Sequence, residues 1–218
     1  MKLQSEQSYH HGNLRGALIE RALVMLEKVG PTELSLRSLA AATGVSRAAP
    51  YNHFADKGEL LSAIAAAGLQ KLAENMQAED VQHSTPHDRF LAVGGAYIRF
   101  ALENPSLFKL MFTSRIGPRK EESQLLDAQG GPYAVFASAL TSYLNDVDSS
   151  ELDGTIARVT AWSCVHGLAV LLLEERLPLF ADGDDHWIND VTNFYSDLLR
   201  RTVTSALVTN SGNHSGGS

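Results

Sequence analysis

The sequence predicts an all-α protein, and three observations carry this prediction. Along most of the 218 residues, apolar side chains recur at steps of three and four, which places them on one face of a helix. These segments begin after serine, threonine or aspartate and end at glycine or proline, as helices do. Nowhere do apolar and polar residues alternate in the manner of a β-strand.

Four helices are predicted near the amino terminus. Apolar residues recur from Leu14 to Val29, and Gly30-Pro31 ends this first helix. Ser35, Ser46 and Asp56 are typical N-cap residues for the next three helices. We expect these three helices at 36–43, at 46–53 and from 57 through 72.

Further helices are predicted after a polar connection that begins beyond Glu79. They are expected at 86–103, 105–112, 132–145, 149–176 and 185–208. The terminal sequence NSGNHSGGS is typical of a flexible end. We therefore expect a first domain over 1–72, a second helical domain over 73–209, and a flexible tail over 210–218.

Composition excludes several classes of protein. With 44% hydrophobic and 20% charged residues, the chain is neither disordered nor fibrous. The longest apolar run, Val165 to Leu173, is far shorter than the ~20 residues that cross a bilayer. The polar amino terminus is unlike a secretory signal. We expect a cytoplasmic protein with no membrane partner, in which the single Cys164 forms no internal disulfide.

Charge is distributed unevenly along the chain. Residues 1–72 carry eight lysines and arginines against six acidic residues, a net charge of +2, and residues 73–218 carry ten against nineteen, a net charge of -9. Together they give the overall charge of -7. The amino-terminal part is therefore suited to approach an anion, and the acidic remainder is not.

Residues 36–53, LRSLAAATGVSRAAPYNH, have the pattern of a helix-turn-helix. A short amphipathic helix, a turn at Gly44 and a second short helix follow one another, and in such motifs the second helix enters the DNA major groove. Donors for phosphates and base edges come from Ser46, Arg47, Tyr51, Asn52 and His53. Ala48 and Ala49 are small enough to allow close approach to the bases. From these residues alone, a helical corner with no DNA partner is an equal alternative.

The stretch from Tyr9 to Leu72 resembles the DNA-binding region of the tetracycline-repressor (TetR) family of bacterial regulators. The family's motifs stand here as LSLRSLA, GVS, YNHF and DKGELL. The start YHHGNLRGAL resembles one subgroup, whose carboxyl-terminal domain is named for a Trp-His-Gly (WHG) motif. That motif appears here in AWSCVHGLAVL, with Trp162, His166 and Gly167.

This resemblance implies a set of DNA contacts. Base contacts are expected from Arg47, Ala48 and Ala49, with Arg37 as a second candidate. Phosphate contacts are expected from Ser35, Ser46, Tyr51, His53 and Lys57. Two of these serines are predicted N-caps, where backbone N–H groups and the helix dipole favour an anion. A lysine in the first turn of a helix is unfavourable for folding, which also favours an anionic partner for Lys57.

Pro50 departs from the family pattern, which has a larger apolar residue before the tyrosine. With Ser46 as N-cap, Pro50 would be the fourth helical residue and would forfeit only the first intrahelical hydrogen bond. We therefore expect the helix over 46–53 to form. Because Pro50 departs from the family pattern, that pattern is a weaker guide to which bases this helix contacts.

The resemblance also implies a homodimer that responds to a small organic effector. Trp162 and His166 lie four residues apart on one helix face, and aromatic and apolar residues of neighbouring helices complete the expected cavity wall. These residues are Phe100, Phe108, Met111, Phe112, Tyr133 and Phe136. Core packing is an equally strong interpretation of the same residues. The dimer is expected through helices 149–176 and 185–208, which carry more apolar surface than one small domain covers. The alternative is that both helices bury this surface within one chain.

The preferred interpretation is a regulator with no enzymatic step, usually a repressor in this family, released from a palindromic DNA operator by its effector. The alternatives are a constitutive DNA-binding protein without an effector, and an all-α enzyme or ligand carrier. No cofactor or metal is expected, because Pro86 interrupts any helix that would align His83 and His87 and no carboxylate cluster accompanies them. Ser163 and His166 lack the nucleophile elbow of a hydrolase.

Overall fold

The computed structural model describes residues 13–112, 131–146, 154–174 and 201. In these ranges the chain forms seven α-helices and one short 3₁₀ helix, with no β-strand, as the sequence predicts. The α-helices are α1 (Leu14–Glu33), α2 (Leu36–Thr43), α3 (Lys57–Asp80), α4 (Pro86–Glu103), α5 (Pro105–Phe112), α6 (Pro132–Asp146) and α7 (Gly154–Leu173). The 3₁₀ helix spans Ala49–Asn52, between α2 and α3.

The chain divides into two compact units. The first unit comprises residues 1–69 and 104–124, and therefore contains α1, α2, the 3₁₀ helix, the first half of α3 and α5. The second comprises residues 70–103 and 125–218, with the rest of α3, α4, α6 and α7. Helix α5, although it follows residue 72 in the sequence, belongs to the first unit.

The beginnings and ends of the first helices follow from single residues. In α1 the backbone is helical up to Gly30, which has φ 70° and ψ 172°, so the regular helix ends at the predicted Gly30-Pro31. Gly44 ends α2 with φ 73°, in the left-handed region that favours glycine. The Asp56 carboxylate accepts a hydrogen bond from the Glu59 N–H at 2.8 Å and caps α3, as expected.

The first unit encloses a core of leucine side chains around Phe54. Leu18 and Leu26 of α1, Leu39 of α2 and Leu60 of α3 are fully buried, and Phe54 is almost so. Full burial of each such side chain contributes about 1.5–3 kcal/mol. The core therefore fixes α2 and the segment after it against α1.

The second unit packs α4 against α6 and α7. Phe90 and Tyr97 of α4 and Phe136 of α6 are buried, and the rings of Phe90 and Phe136 lie 5.4 Å apart. Two ion pairs join the end of α3 to α4: Arg89 donates twice to the Asp80 carboxylate, at 3.0 and 2.6 Å, and Arg99 donates to Glu79 at 2.9 Å. This unit is thus a small helical layer with an aromatic interior.

Helix α7 lies within the helix predicted over 149–176 and extends well beyond the apolar run Val165 to Leu173. It continues for 20 residues with a mean hydropathy of 1.6, so by length and composition alone it is able to cross a bilayer. It packs against α4 and α6 through small residues, of which Ala161 and Ala169 are buried. Of the helix predicted over 185–208 only Arg201 is described, and it is helical. The tail over 210–218 lies outside the described residues.

Candidate nucleic-acid interface and effector site

The segment 46–53, called here the reading segment, is not the α-helix that the sequence predicted. Residues Ala49–Asn52 form a 3₁₀ helix, and the N–H groups of Ala49, Tyr51 and His53 bond to carbonyls three residues earlier, at 3.0–3.1 Å. The prediction of a helix from Ser46 is wrong because Pro50 has no N–H to donate to the Ser46 carbonyl. Proline also disfavours helical geometry at the preceding residue. The turn therefore tightens to i→i+3 bonds.

Pro50 and Phe54 anchor the reading segment to the first unit. Both are buried, and the Phe54 N–H donates to the Pro50 carbonyl at 3.0 Å. Of the residues between them, Tyr51 is 56% exposed and Asn52 is also exposed, while His53 is partly buried. The reading segment is therefore held by its apolar residues and presents its polar ones.

Most of the predicted DNA-contacting residues are accessible in the structure. Exposed side chains belong to Arg37, Ser46, Arg47, Ala48, Tyr51 and Asn52, and Ser35, Ala49, His53 and Lys57 are partly buried. Arg37 is in the first turn of α2, and Arg47 is in the turn before the 3₁₀ helix. The structure thus leaves two guanidinium groups, each able to bind a guanine edge or a phosphate, without protein covering them.

Ser35 acts as the N-cap of α2. Its hydroxyl oxygen accepts a hydrogen bond from the Ser38 N–H at 3.0 Å, and the Ser38 hydroxyl oxygen accepts one from the Ser35 N–H at 3.0 Å. This reciprocal capping box satisfies two backbone donors at the start of the helix. The sequence prediction included Ser35 and missed Ser38, although the Ser-x-x-Ser spacing in SLRS is the signal for it.

Lys57 has a partner within the protein. Its ammonium group donates to the Thr32 carbonyl at 2.6 Å, across 25 residues of chain. The sequence argument that Lys57 serves an anion rather than folding is therefore incomplete, because this bond ties the start of α3 to the turn after Gly30. An ammonium group has three donors, so two stay available for a phosphate.

Two further arginines of α1 were missed by the sequence reasoning. Arg15 is exposed, with its guanidinium 5.4 Å from the centre of the Phe54 ring, and Arg21 lines a groove of about 680 Å³ beside the turn of the helix-turn-helix. Thr43 and Ser46 line the same groove. The signal was the +2 charge of this region, of which these two cations are a part. Both are candidates for phosphate contacts.

The predicted effector-binding residues divide between the two units. Phe108, Met111 and Phe112 lie on α5 in the first unit. Phe100, Tyr133, Phe136, Trp162 and His166 lie on α4, α6 and α7 in the second. Among these five, the Trp162 ring meets Tyr133 at 5.3 Å and Phe136 at 5.5 Å between centroids, both edge to face.

Tyr97 joins this group, and the sequence reasoning missed it. Its ring lies 5.1 Å from that of Trp162, and its hydroxyl lies 2.7 Å from the Nδ1 atom of His166. We call Tyr97, Tyr133, Phe136, Trp162 and His166 the aromatic cluster. Tyr97 lies seven residues after Phe90, so it falls on the same helix face. That spacing was the available signal.

Burial changes the ionisation of the two polar members of the aromatic cluster. It raises the pKa of the Tyr97 hydroxyl well above its ordinary value and lowers the pKa of His166, because each charged form would lose its hydration. Both side chains are therefore neutral at pH 7. When His166 carries its proton on Nε2, the Tyr97 O–H donates to Nδ1.

A separate cavity of about 270 Å³ opens between α3 and α4 in the second unit. It is lined by Asn75, Ala78, Glu79, Ala96, Arg99, Phe100 and Glu103, so Phe100 is the member of the predicted wall that lines it. Among the described residues, no group of three or more His, Cys, Asp or Glu side chains is arranged to hold a metal ion.

Two family patterns match the chain. Residues 18–64 match the pattern described as bacterial regulatory proteins of the tetR family, and residues 90–194 match a tetracyclin repressor-like C-terminal domain. The first covers α2, the reading segment and the start of α3. The second spans Trp162, His166 and Gly167, and its description names no narrower WHG subgroup.

Similar proteins are found among curated sequences and solved structures. The uncharacterized HTH-type transcriptional regulator YobS of Bacillus subtilis (strain 168) is 27% identical over 182 residues, which are 84% of this chain and 91% of that protein. A protein with unknown function from Rhodococcus sp. RHA1 is 34% identical, with a TM-score of 0.74 over 90% of this chain and 98% of that one. The TetR family transcriptional regulator PfmR from Thermus thermophilus is 22% identical, with a TM-score of 0.61 over 84% of this chain and 97% of that one. At that last identity the likeness concerns the fold alone.

Proposed function

Because the chain belongs to the tetracycline repressor family and is a DNA-binding transcriptional regulator, we propose that it acts as a homodimer on a palindromic operator and is released by a small organic effector. It carries out no enzymatic step and works in the cytoplasm. The observation that carries the DNA-binding part is the reading segment, in which buried Pro50 and Phe54 hold Arg47, Tyr51 and Asn52 exposed.

The reading segment is suited to sequence-specific recognition. Arg47 offers paired donors that match the O6 and N7 atoms of guanine, and Asn52 offers the donor and acceptor that match adenine. Lys57 and the caps of α2 and α3 lie near enough along the chain to fix the phosphate register. A fixed register is necessary because base contacts discriminate only when the backbone contacts hold the protein in one position.

Selection of bound duplexes from a random pool tests the proposal. We expect an imperfect palindrome, because a symmetric dimer presents two identical reading segments about 34–36 Å apart, or one turn of DNA, or at a larger multiple. Binding should weaken steeply with salt. Equal affinity for all duplexes in the pool would contradict the proposal.

The surface of α7 supports the homodimer. Ile156 is 62% exposed and Val159 is 56% exposed on one stretch of the helix, and Leu171 is 42% exposed further on. All three lie in the segment 149–176, through which the dimer is expected. Apolar side chains clustered on one helix are the usual mark of a protein contact.

Sedimentation of two variants tests this interface. Val159→Asp should yield monomers with reduced operator affinity, because it buries a charge at the contact. Val81→Asp changes a 79% exposed valine after α3 and should leave the dimer intact. A dimer unaffected by Val159→Asp would place the interface elsewhere.

The aromatic cluster is the proposed place of the effector. It supplies apolar rings together with a hydroxyl and an imidazole, a combination that binds small organic molecules. Entry of an effector requires the rings around Trp162 to separate, so the effector favours a different arrangement of the second unit. To convert the protein from mostly DNA-bound to mostly free, the effector must discriminate between the two arrangements by roughly 5 kcal/mol.

A constitutive regulator is the second candidate, and the packing of Trp162 favours it. Three aromatic rings already contact this indole, and His166 is already hydrogen-bonded to Tyr97. A thermal-shift screen of small organic compounds separates the two candidates. A compound that stabilises the protein, releases the selected duplex and fails to do so with Trp162→Phe supports the effector. If no stabilising compound releases the duplex, the constitutive alternative is favoured.

A further inference from the structure

An open groove lies between α1 and the turn that follows α2, and all the residues that line it belong to the first unit. We call it the turn groove. Its volume of about 680 Å³ falls within the range of sites that bind small organic molecules. Its apolar walls come from five side chains, most of them small: Leu14, Ala17, Ala42, Val45 and Ala49. All five are only partly buried, so the groove presents apolar surface that a ligand would cover.

A single charge lies in the turn groove. Among the described residues that line it, only Arg21 is charged, and this side chain is exposed. Within the described parts of the chain, no carboxylate forms an ion pair with Arg21. A guanidinium group has five N–H donors in a planar fork, which matches a carboxylate through two parallel hydrogen bonds. The turn groove is therefore complementary to one negative charge.

The two hydroxyl groups of the turn groove differ in what they offer a ligand. Thr43 donates its hydroxyl hydrogen to the Leu39 carbonyl at 2.8 Å, so its oxygen is left as an acceptor. Ser46 is exposed, and its hydroxyl forms no hydrogen bond with the described residues, so it keeps its donor. The donors for an anion thus come from Arg21 and Ser46.

The spacing of residues on α1 sets the length of the apolar wall. Leu14, Ala17 and Arg21 follow one another at steps of three and four residues, so they lie on one face of the helix. At the rise of an α-helix, the distance along the axis from Leu14 to Arg21 is about 10 Å. A two-ring aromatic acid spans this length with its carboxylate at the arginine. Rigid rings also lose little conformational freedom on binding, which favours them over flexible chains.

We propose that the turn groove binds a small organic anion, an apolar body that carries one carboxylate, and that this anion competes with DNA. The competition rests on the proposed function, in which Arg21 and Ser46 contact DNA phosphates. A carboxylate on Arg21 occupies the donors that a phosphate needs, so the two anions exclude each other. The aromatic cluster is a different site, because it belongs to the second unit and its Tyr97 and His166 are neutral at pH 7.

Amide chemical shifts of the full chain, titrated with 2-naphthoate and separately with the uncharged 2-naphthamide, test the site. Both probes have the same rings, so the difference in their affinities reports the charge. In the wild type we expect shifts at residues 42–49 and none at the Trp162 indole. The Kd of naphthoate should be about 5-fold lower than that of naphthamide, as for an ion pair that water reaches. Arg21→Gln should remove this preference and leave the naphthamide Kd unchanged.

Three further variants make the test specific. Lys28→Gln removes a positive charge from an exposed position of α1 outside the turn groove, and should bind both probes as the wild type does. Arg21→Lys keeps the charge without the planar fork, so it should restore part of the preference for naphthoate. Ala17→Leu fills the apolar wall and should weaken the binding of both probes by a similar factor.

Competition is measured with the duplex selected by the wild-type protein. Naphthoate at ten times its own Kd should raise the apparent Kd of this duplex about 10-fold or more, because a competitor acts by the factor 1 + [L]/Kd. At the same naphthoate concentration the effect in Arg21→Gln should fall to about 3-fold, since its naphthoate Kd is then 5-fold higher.

The possible outcomes distinguish the inference from the proposed function. If naphthoate shifts only the aromatic cluster, or binds no better than naphthamide, the anion site is refuted while the regulator stands. If Arg21→Gln weakens duplex binding but naphthoate causes no shift at 42–49, the turn groove serves DNA phosphates alone and the inference fails. If no duplex is bound specifically, the proposed function and the competition fail together, and Arg21-dependent naphthoate binding would still establish the anion site.

Discussion

The reading segment takes its backbone hydrogen bonds from residues within four positions, whereas the aromatic cluster joins residues as far as 69 positions apart. In the first, Ser46, Arg47, Tyr51 and Asn52 are exposed, and Pro50 is buried, as is the adjoining Phe54. In the second, Tyr97 and Phe136 are fully buried, and the polar atoms of Tyr97 and His166 satisfy each other. One surface is organised to meet a partner, and the other must first be opened before a partner enters. Exposed contacts should therefore govern DNA affinity, and buried contacts should govern stability.

The largest expected effect is on stability, when a buried ring is removed from the aromatic cluster. Phe136→Ala should lower the free energy of unfolding by about 3–5 kcal/mol, because it removes a fully buried ring and leaves a cavity. Tyr51→Ala removes an aromatic ring of the reading segment and should change stability by less than about 0.5 kcal/mol. Urea denaturation measures both. Similar losses of unfolding free energy in the two variants would contradict the expected difference between the aromatic cluster and the reading segment.

Replacement of the exposed Arg47 guanidinium should affect DNA recognition and leave stability unchanged. Arg47→Ala should reduce discrimination at one base pair of each half-site by about 1–3 kcal/mol, with an unchanged unfolding midpoint. Lys57→Ala provides the contrast: it should weaken all duplexes alike and lower the salt slope of binding by about one unit. Duplex titrations at several salt concentrations distinguish a base contact from a phosphate contact. Loss of affinity without loss of discrimination in Arg47→Ala would reassign that residue to a phosphate.

Replacing Pro50 should change the backbone geometry of the reading segment with little effect on stability. Pro50→Ala restores the N–H that the Ser46 carbonyl lacks, so the segment should convert from a 3₁₀ helix to an α-helix. Restored hydrogen bonding, worth about 0.5–1.5 kcal/mol, and the lost rigidity of proline, worth about 0.4–1 kcal/mol, largely offset each other in stability. Backbone chemical shifts of residues 46–52 report the conversion, and the selected duplex consensus should change. An unchanged 3₁₀ geometry would show that the core around Phe54, and not Pro50, sets the turn.

The smallest expected effect is a pH dependence that belongs to the aromatic cluster. Because burial lowers the pKa of His166, the unfolded chain binds a proton at a higher pH than the folded one does. Stability from this group is therefore complete above pH about 6.5, the ordinary histidine value, and is lost as pH falls through the folded-state pKa. His166→Asn should flatten this part of the profile, since an amide does not titrate there. Thermal unfolding between pH 5 and 8 measures it, and a steep slope retained in the variant would assign the effect to another histidine.

The sequence was sufficient wherever a feature depends on residues close together along the chain. Ser35, Gly44 and Asp56 end or begin their helices as predicted, because capping is a contact over three or four residues. The exposure of Arg47 and Tyr51 followed from the same local spacing. The incorrect prediction of an α-helix through Pro50 also concerns neighbouring residues. The missing N–H of Pro50 and the steric restriction it places on the preceding residue act together, and their combined effect was underestimated.

Tertiary structure alone decided which distant residues meet. Phe100, Phe108 and Met111 are equivalent in the sequence as apolar helix residues, yet the fold assigns α5 to the first unit and α4 to the second. Tyr97 became the partner of His166, Lys57 became a donor to Thr32, and Glu27 became the cap of a helix 79 residues away. Helical periodicity specifies which face of a helix is buried but not which other helix covers it. That choice depends on the packing of all the helices at once, so these contacts could be identified only in the folded chain.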